Sequence, residues 1–209
     1  MFMTAAPGGS GSAPSTAHVE IAPGVRLEPG PSGELPVSLQ WVVVPDAYPE
    51  AVAVDDGVVY IAGGCLHAFR LSDGALVWRA EPPDGNGLVG SGWVIMGTRG
   101  VDEIRALAPS EYDITVKRST GQVVDYGLKE SSSSSAGIEP FPHSEPERFL
   151  IEAGLEEIVA RGQDGSIAWK VLVDEPMIDE LPPVGVPGGV VLTTSSGHVL
   201  KLGYLGAHS

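Results

Sequence analysis

Phe69-Arg70-Leu71-Ser72-Asp73-Gly74-Ala75-Leu76-Val77-Trp78 reads as a strand end, a tight turn and the strand that follows. Asp-Gly between apolar runs is a strong short-range hairpin signal. The unit recurs as Val116-Lys117-Arg118-Ser119-Thr120-Gly121-Gln122-Val123-Val124-Asp125 and as Ala160-Arg161-Gly162-Gln163-Asp164-Gly165-Ser166-Ile167-Ala168-Trp169, with turn glycines 47 and 44 residues apart. Around the first copy, Ala51–Val54, Val58–Ala62, Cys65–Leu71 and Ala75–Arg79 are four short apolar runs, separated by Asp55-Asp56-Gly57, Gly63-Gly64 and Ser72-Asp73-Gly74.

A period of roughly 40–45 residues with four short strands is that of a propeller blade. Upstream strands repeat too: Gly57-Val58-Val59-Tyr60-Ile61 is similar to Gly92-Trp93-Val94-Ile95-Met96 and Gly189-Val190-Val191-Leu192-Thr193, the second unit carrying an insertion over Arg99–Ser110. A fourth unit runs from near Pro183 to His198-Val199-Leu200-Lys201-Leu202 and lacks an outer strand, whereas Ser38-Leu39-Gln40-Trp41 is an outer strand without a blade. The expectation is an all-β fold: a small β-propeller of about four four-stranded antiparallel blades, closed by an N-terminal strand that completes the last blade. Exchange of that strand between two chains, giving an eight-bladed homodimer, is the alternative.

These motifs resemble the quinoprotein-type, or PQQ-like, β-propeller repeat. Val59-Tyr60-Ile61-Ala62-Gly63, His67-Ala68-Phe69, Asp73-Gly74 and Val77-Trp78 carry the likeness in the first unit, Ser119-Thr120-Gly121 and Asp164 to Trp169 in the others. That family spans quinone-dependent dehydrogenases, an outer-membrane assembly scaffold and kinase sensor domains, so the resemblance implies a fold and leaves activity open. Its dehydrogenases look like eight-bladed molecules holding quinone and calcium near the axis with an acidic base; no local cluster of carboxylate, Asn and Arg matches this here, which argues against both cofactors.

Composition narrows the classes further. Twelve Lys and Arg against 27 Asp and Glu give a net charge of -15 over 209 residues, which disfavours nucleic-acid binding. Apolar residues make up 43% of the chain, enough for a core. The single Cys65 excludes internal disulfides and cysteine-built zinc sites. Residues 1–37, with six Gly and six Pro, read as a disordered tail, 38–205 as the propeller domain and 206–209 as a C-terminal tail. The start has neither a basic nor an apolar signal region, so a cytoplasmic location is expected.

No nucleophile elbow, phosphate loop or metal-type histidine spacing occurs. Two charged sets stand out instead. Arg70, Lys117, Arg161 and Lys201 fall at one repeat position and would form a ring able to hold an anion or an acidic partner segment, or else would each pair with a local carboxylate. Residues 130–180 carry 12 acidic and 3 basic groups, with Glu156, Glu157, Asp174 and Glu175 as a candidate docking face for a basic partner. His67 and His198 also fall at equivalent repeat positions; packing between blades is the favoured reading over metal binding. The sequence therefore predicts a non-catalytic binding or scaffold module for a protein or small ligand, presented on loops such as Arg99–Ser110 and Ser131–His143.

Overall fold

The computed structural model describes residues 18–46, 48–83, 94–107, 112–128, 138–141, 144, 146, 148–154, 156–174, 181–194 and 196–206. These residues form no helix, hence none long and apolar enough to cross a membrane. In chain order the strands are β1 (Val19–Ala22), β2 (Val25–Pro29), β3 (Val37–Val43), β4 (Ala51–Asp55), β5 (Val58–Ala62), β6 (Leu66–Arg70), β7 (Leu76–Ala80), β8 (Val94–Arg99) and β9 (Glu103–Leu107). They continue as β10 (Tyr112–Lys117), β11 (Val123–Leu128), β12 (Ile138–Glu139), β13 (Leu150–Ala153), β14 (Glu157–Arg161), β15 (Ile167–Val173), β16 (Val184–Val186), β17 (Gly189–Thr193) and β18 (Val199–Tyr204).

Four antiparallel sheets result. The first is β4-β5-β6-β7, the second β12-β8-β9-β10-β11, the third β13-β14-β15-β2-β1 and the fourth β16-β17-β18-β3. The N-terminal strand β3 does complete the last sheet of its own chain, with Lys201 opposite Trp41 and Tyr204 opposite Val37.

Strand alternation gives the first and fourth sheets two apolar faces, each serving a seam. The first sheet turns Val59, Ile61 and Phe69 toward Trp41, Val191 and Val199 of the fourth. Its opposite face packs Tyr60, Leu66, Ala68 and Trp78 on Ile104, Ile114 and Val116 of the second. Between third and fourth, Ile158, Ala160 and Trp169 meet Val190, Leu200 and Leu202. No apolar cluster joins the second sheet to the third among the described residues.

Two expectations give way. The supposed tail contains a hairpin: β1 and β2 extend the third sheet beyond β15, with Val25 and Leu27 buried opposite Val173 and Val171. Five apolar residues, Val19, Ile21, Ala22, Val25 and Leu27, within a Gly- and Pro-rich run are too brief a signal against that punctuation. Gly30 then lies so near the Ile167 carbonyl that a Cβ would overlap it. In the second unit, Val94–Arg99 is the inner strand and Glu103–Leu107, within the presumed insertion, is the second one. Arg105 in its middle hides the apolar alternation.

Candidate functional site

The four ladders of third strand on outer strand each carry one register shift, at Ala68/Phe69, Thr115/Val116, Ala160/Arg161 and Lys201/Leu202. This shared bulge aligns the repeats more firmly than the turn glycines do, because it places Ala68, Thr115, Ala160 and Lys201 opposite Trp78, Asp125, Trp169 and Trp41. Arg70 and Lys117 are then equivalent, whereas Arg161 stands one position earlier and Lys201 two. The expected ring of four equivalent basic residues is corrected accordingly. Its cause is the turn after β14, which is one residue shorter: Gly162 N bonds Ser166 O, where Arg70 N bonds Ala75 O and Lys117 N bonds Gln122 O. In the fourth sheet the chain runs on instead of turning.

Each basic side chain has its own setting. Arg70 pairs with Asp73 at 2.7 Å, and Arg161 with Glu152 at 3.2 Å. Lys117 ends β10 exposed. Lys201 is half-buried, donates to the Leu71 carbonyl at 3.2 Å, and burial lowers its pKa. Asp73 has its carboxyl held below the usual range by the Ala75 amide first and by Arg70 as well. Arg70 and Arg161 thus brace their own turns and strands, and Lys201 a seam.

The seams themselves are latched by indoles. Trp41 Nε1 donates to Leu71 O at 2.8 Å and Trp78 Nε1 to Arg118 O at 2.7 Å, each reaching the turn of the next sheet. Arg118 also donates to the Tyr60 hydroxyl at 3.0 Å and pairs with Asp55 at 2.9 Å. Trp169, fully buried, has no acceptor for Nε1 among the described residues. Phe149 makes edge contacts with both Trp169 and Tyr204, the residue in the place of Leu71 and Arg118.

Of the acidic set, Glu156 is exposed, Glu157 pairs with Lys170 at 2.7 Å and Asp174 with Arg26 at 2.9 Å, while Glu175 lies outside the described residues. Most of Ser131–His143 and the end of Arg99–Ser110 also lie outside them. The bulge register puts His198 in the place of Cys65, not of His67, whose place is taken by Ile114, Val159 and Leu200. His67 is buried against Phe69 with Asp46 at 3.9 Å, and burial lowers its pKa; burial raises that of Cys65.

One flank differs in kind. Arg105, Asp113, Thr115 and Asp125 of the second sheet occupy the places that Tyr60, Leu66, Ala68 and Trp78 hold in the first. On the third sheet Leu150 and Arg161 stand where the first has Val59 and Phe69. Leu150 is 61% exposed, and Val59 is fully buried. Sequence reading missed this polar flank; Asp125 at a tryptophan position was its only visible sign.

Fold and side chains define an all-β chain of four antiparallel sheets, with indole latches from the fourth to the first and from the first to the second, and a polar flank on the second. No family model and no curated protein matches the sequence. Among solved structures it is similar to BamB from Moraxella catarrhalis, with 18% identity, TM-score 0.35 and coverage of 90% of this chain and 56% of that one. It is also similar to the quinohemoprotein alcohol dehydrogenase from Comamonas testosteroni, with 20% identity, TM-score 0.37 and coverage of 65% and 23%. A third is the computationally designed Ika4 protein, with 16% identity, TM-score 0.31 and coverage of 81% and 96%. The chain thus spans about half of the first and a quarter of the second. Likenesses this distant assign neither blade number nor activity.

Proposed function

We propose that the chain is a small four-bladed β-propeller of the quinoprotein-like repeat type, acting as a non-catalytic binding or scaffold module for a protein or small ligand. One observation carries the reading: the polar groups at the two seams of the first sheet are spent on holding sheets together. The Leu71 carbonyl takes both the Trp41 indole and the Lys201 ammonium, and Arg118 ties its turn to Tyr60 and Asp55. A rigid frame of this sort leaves recognition to its edges and loops. Pairing of β3 with β18 of the same chain supports closure within one molecule rather than by exchange.

Titration of the full chain with pyrroloquinoline quinone and calcium tests the reading. Absorbance and melting temperature are expected to stay unchanged. A saturable spectral shift with a raised melting temperature would overturn it in favour of a cofactor-binding enzyme or sensor. Sedimentation at the monomer mass of 21.7 kDa is expected for the closed ring, whereas twice that mass means strand exchange.

A further inference from the structure

The third sheet is one strand short on its inner side, and its register identifies the strand. Ile151 pairs with Ala160, which stands opposite Trp169, so Ile151 takes the place of Tyr60, Arg105 and Val191 in the other sheets. Those three each have an inner neighbour: Ala53, Gly97 and Val184. Ile151 has no such neighbour among the described residues, and the sheet ends at β13. By chain order β12 should fill the place. It lies on β8 instead, where the Glu139 carbonyl approaches Gly97 so closely that a Cβ there would overlap it.

The unfilled edge has a defined polarity. Gly154 N bonds Glu157 O, so ladder alternation turns the N–H and C=O groups of Leu150 and Glu152 onto β14 and those of Ile151 and Ala153 inward, to the edge. Unpaired groups in a strand edge are a template for a further strand. One face of the vacant place adjoins the core side of Ile151 and Ala153, which are packed against the seam with the fourth sheet. The other face is open, beside exposed Leu150 and Glu152, with Glu156 exposed at the strand's end.

We infer that this edge of β13 accepts an extended segment of a partner protein, bearing small or β-branched residues at alternate positions and Lys or Arg between them. The small positions follow from Ala53, Gly97 and Val184, which fill the equivalent place elsewhere. The basic positions follow from Glu152, which stays 55% exposed beside its contact with Arg161, from exposed Glu156, and from the 12 acidic against 3 basic residues over 130–180. The inference rests on the binding-module reading and adds the surface and the chemistry it takes. The quinone titration is blind to the edge, so the two fail separately.

The probe is a fluorescein-labelled, end-capped peptide of alternating lysine and valine, mixed with the full chain at low salt and followed by anisotropy. Saturable binding is expected, weakened about tenfold or more when the valine amides are N-methylated or when the chain carries Ala153→Pro, which removes an edge donor only. Equal binding of the N-methylated peptide means charge attraction without strand addition and overturns the inference, as does absence of binding. Amide exchange of the unaltered chain guards against a misfolded variant. Ile151 and Ala153 should exchange faster than Leu150 and Glu152 and slow down when peptide is added. Equal protection in the free chain overturns the inference: if independent of protein concentration, the chain fills its own edge; if it rises with concentration, a second copy does.

Discussion

Trp78 Nε1 donates to the Arg118 carbonyl at 2.7 Å between the first and second sheets, whereas Trp169, its counterpart two sheets on, is also buried but has no acceptor among the described residues. Two indoles in one repeat position thus differ by a single hydrogen bond. Trp78→Phe loses ring volume and leaves a carbonyl without its donor; Trp169→Phe loses ring volume and removes an unsatisfied donor. Urea unfolding should show Trp78→Phe to be the more destabilising by about 1–2 kcal/mol. Equal losses would mean that the latch adds nothing beyond packing.

His67 sets a pH dependence whose sign is fixed by burial. Its pKa is lowered by desolvation, which outweighs the attraction of Asp46, while Arg79, paired with Asp46 at 2.8 Å, lowers it further. The unfolded chain therefore takes up a proton near the ordinary value of 6.5 while the folded chain does not. Stability present above that value is lost as pH falls below it, and His198, also lowered by burial, adds to the slope. His67→Leu, the residue that Leu200 supplies at the same place, should flatten the decline between neutral and mildly acidic pH in urea titrations. An unchanged slope would assign the effect to His198 or to carboxylates.

What the sequence made legible follows from which signals are local. Asp73-Gly74 and Trp78 announce the first sheet because turn, alternation and tryptophan all lie within ten residues. Ser38 to Trp41 was readable as a displaced outer strand because its tryptophan is a repeat marker. Arg161 escapes the glycine count because glycine marks a turn but not its length, and one residue fewer sends a side chain to the opposite face; Lys201 has no turn glycine to be counted from, and stands two positions off. The bulge that fixes the true register is a property of the backbone pair. Sheet three escaped for a related reason: nothing in Leu150 to Ala153 says that its inner neighbour went to β8.

Gly30 joins the hairpin of β1 and β2 to the third sheet. Its amide bonds Ala168 O at 2.9 Å, and its Cα faces the Ile167 carbonyl with no room for a methyl group. Gly30→Ala should push the hairpin off β15, at about 1–3 kcal/mol by the usual cost of overpacking. Because Val25 and Leu27 would come into solvent, limited proteolysis should cut the N-terminal region faster in the variant. A digestion pattern identical to that of the parent would show that the backbone can shift to accept the group.

Arg105 and Asp113 form a buried ion pair on the flank of the second sheet, in the places where the first sheet has Tyr60 and Leu66. Two charges out of water gain little net stability from each other, but one without the other is costly. Asp113→Leu alone should therefore lower stability by about 3–5 kcal/mol, because it strips a buried guanidinium of its carboxylate. Adding Arg105→Tyr, which copies the first sheet at both places, should restore most of that loss, so the double variant lies closer to the parent than the single one. Urea unfolding of the four members of this cycle measures the coupling directly. Additive losses would mean that the two groups act separately, and that the polar flank owes its burial to something other than their pairing.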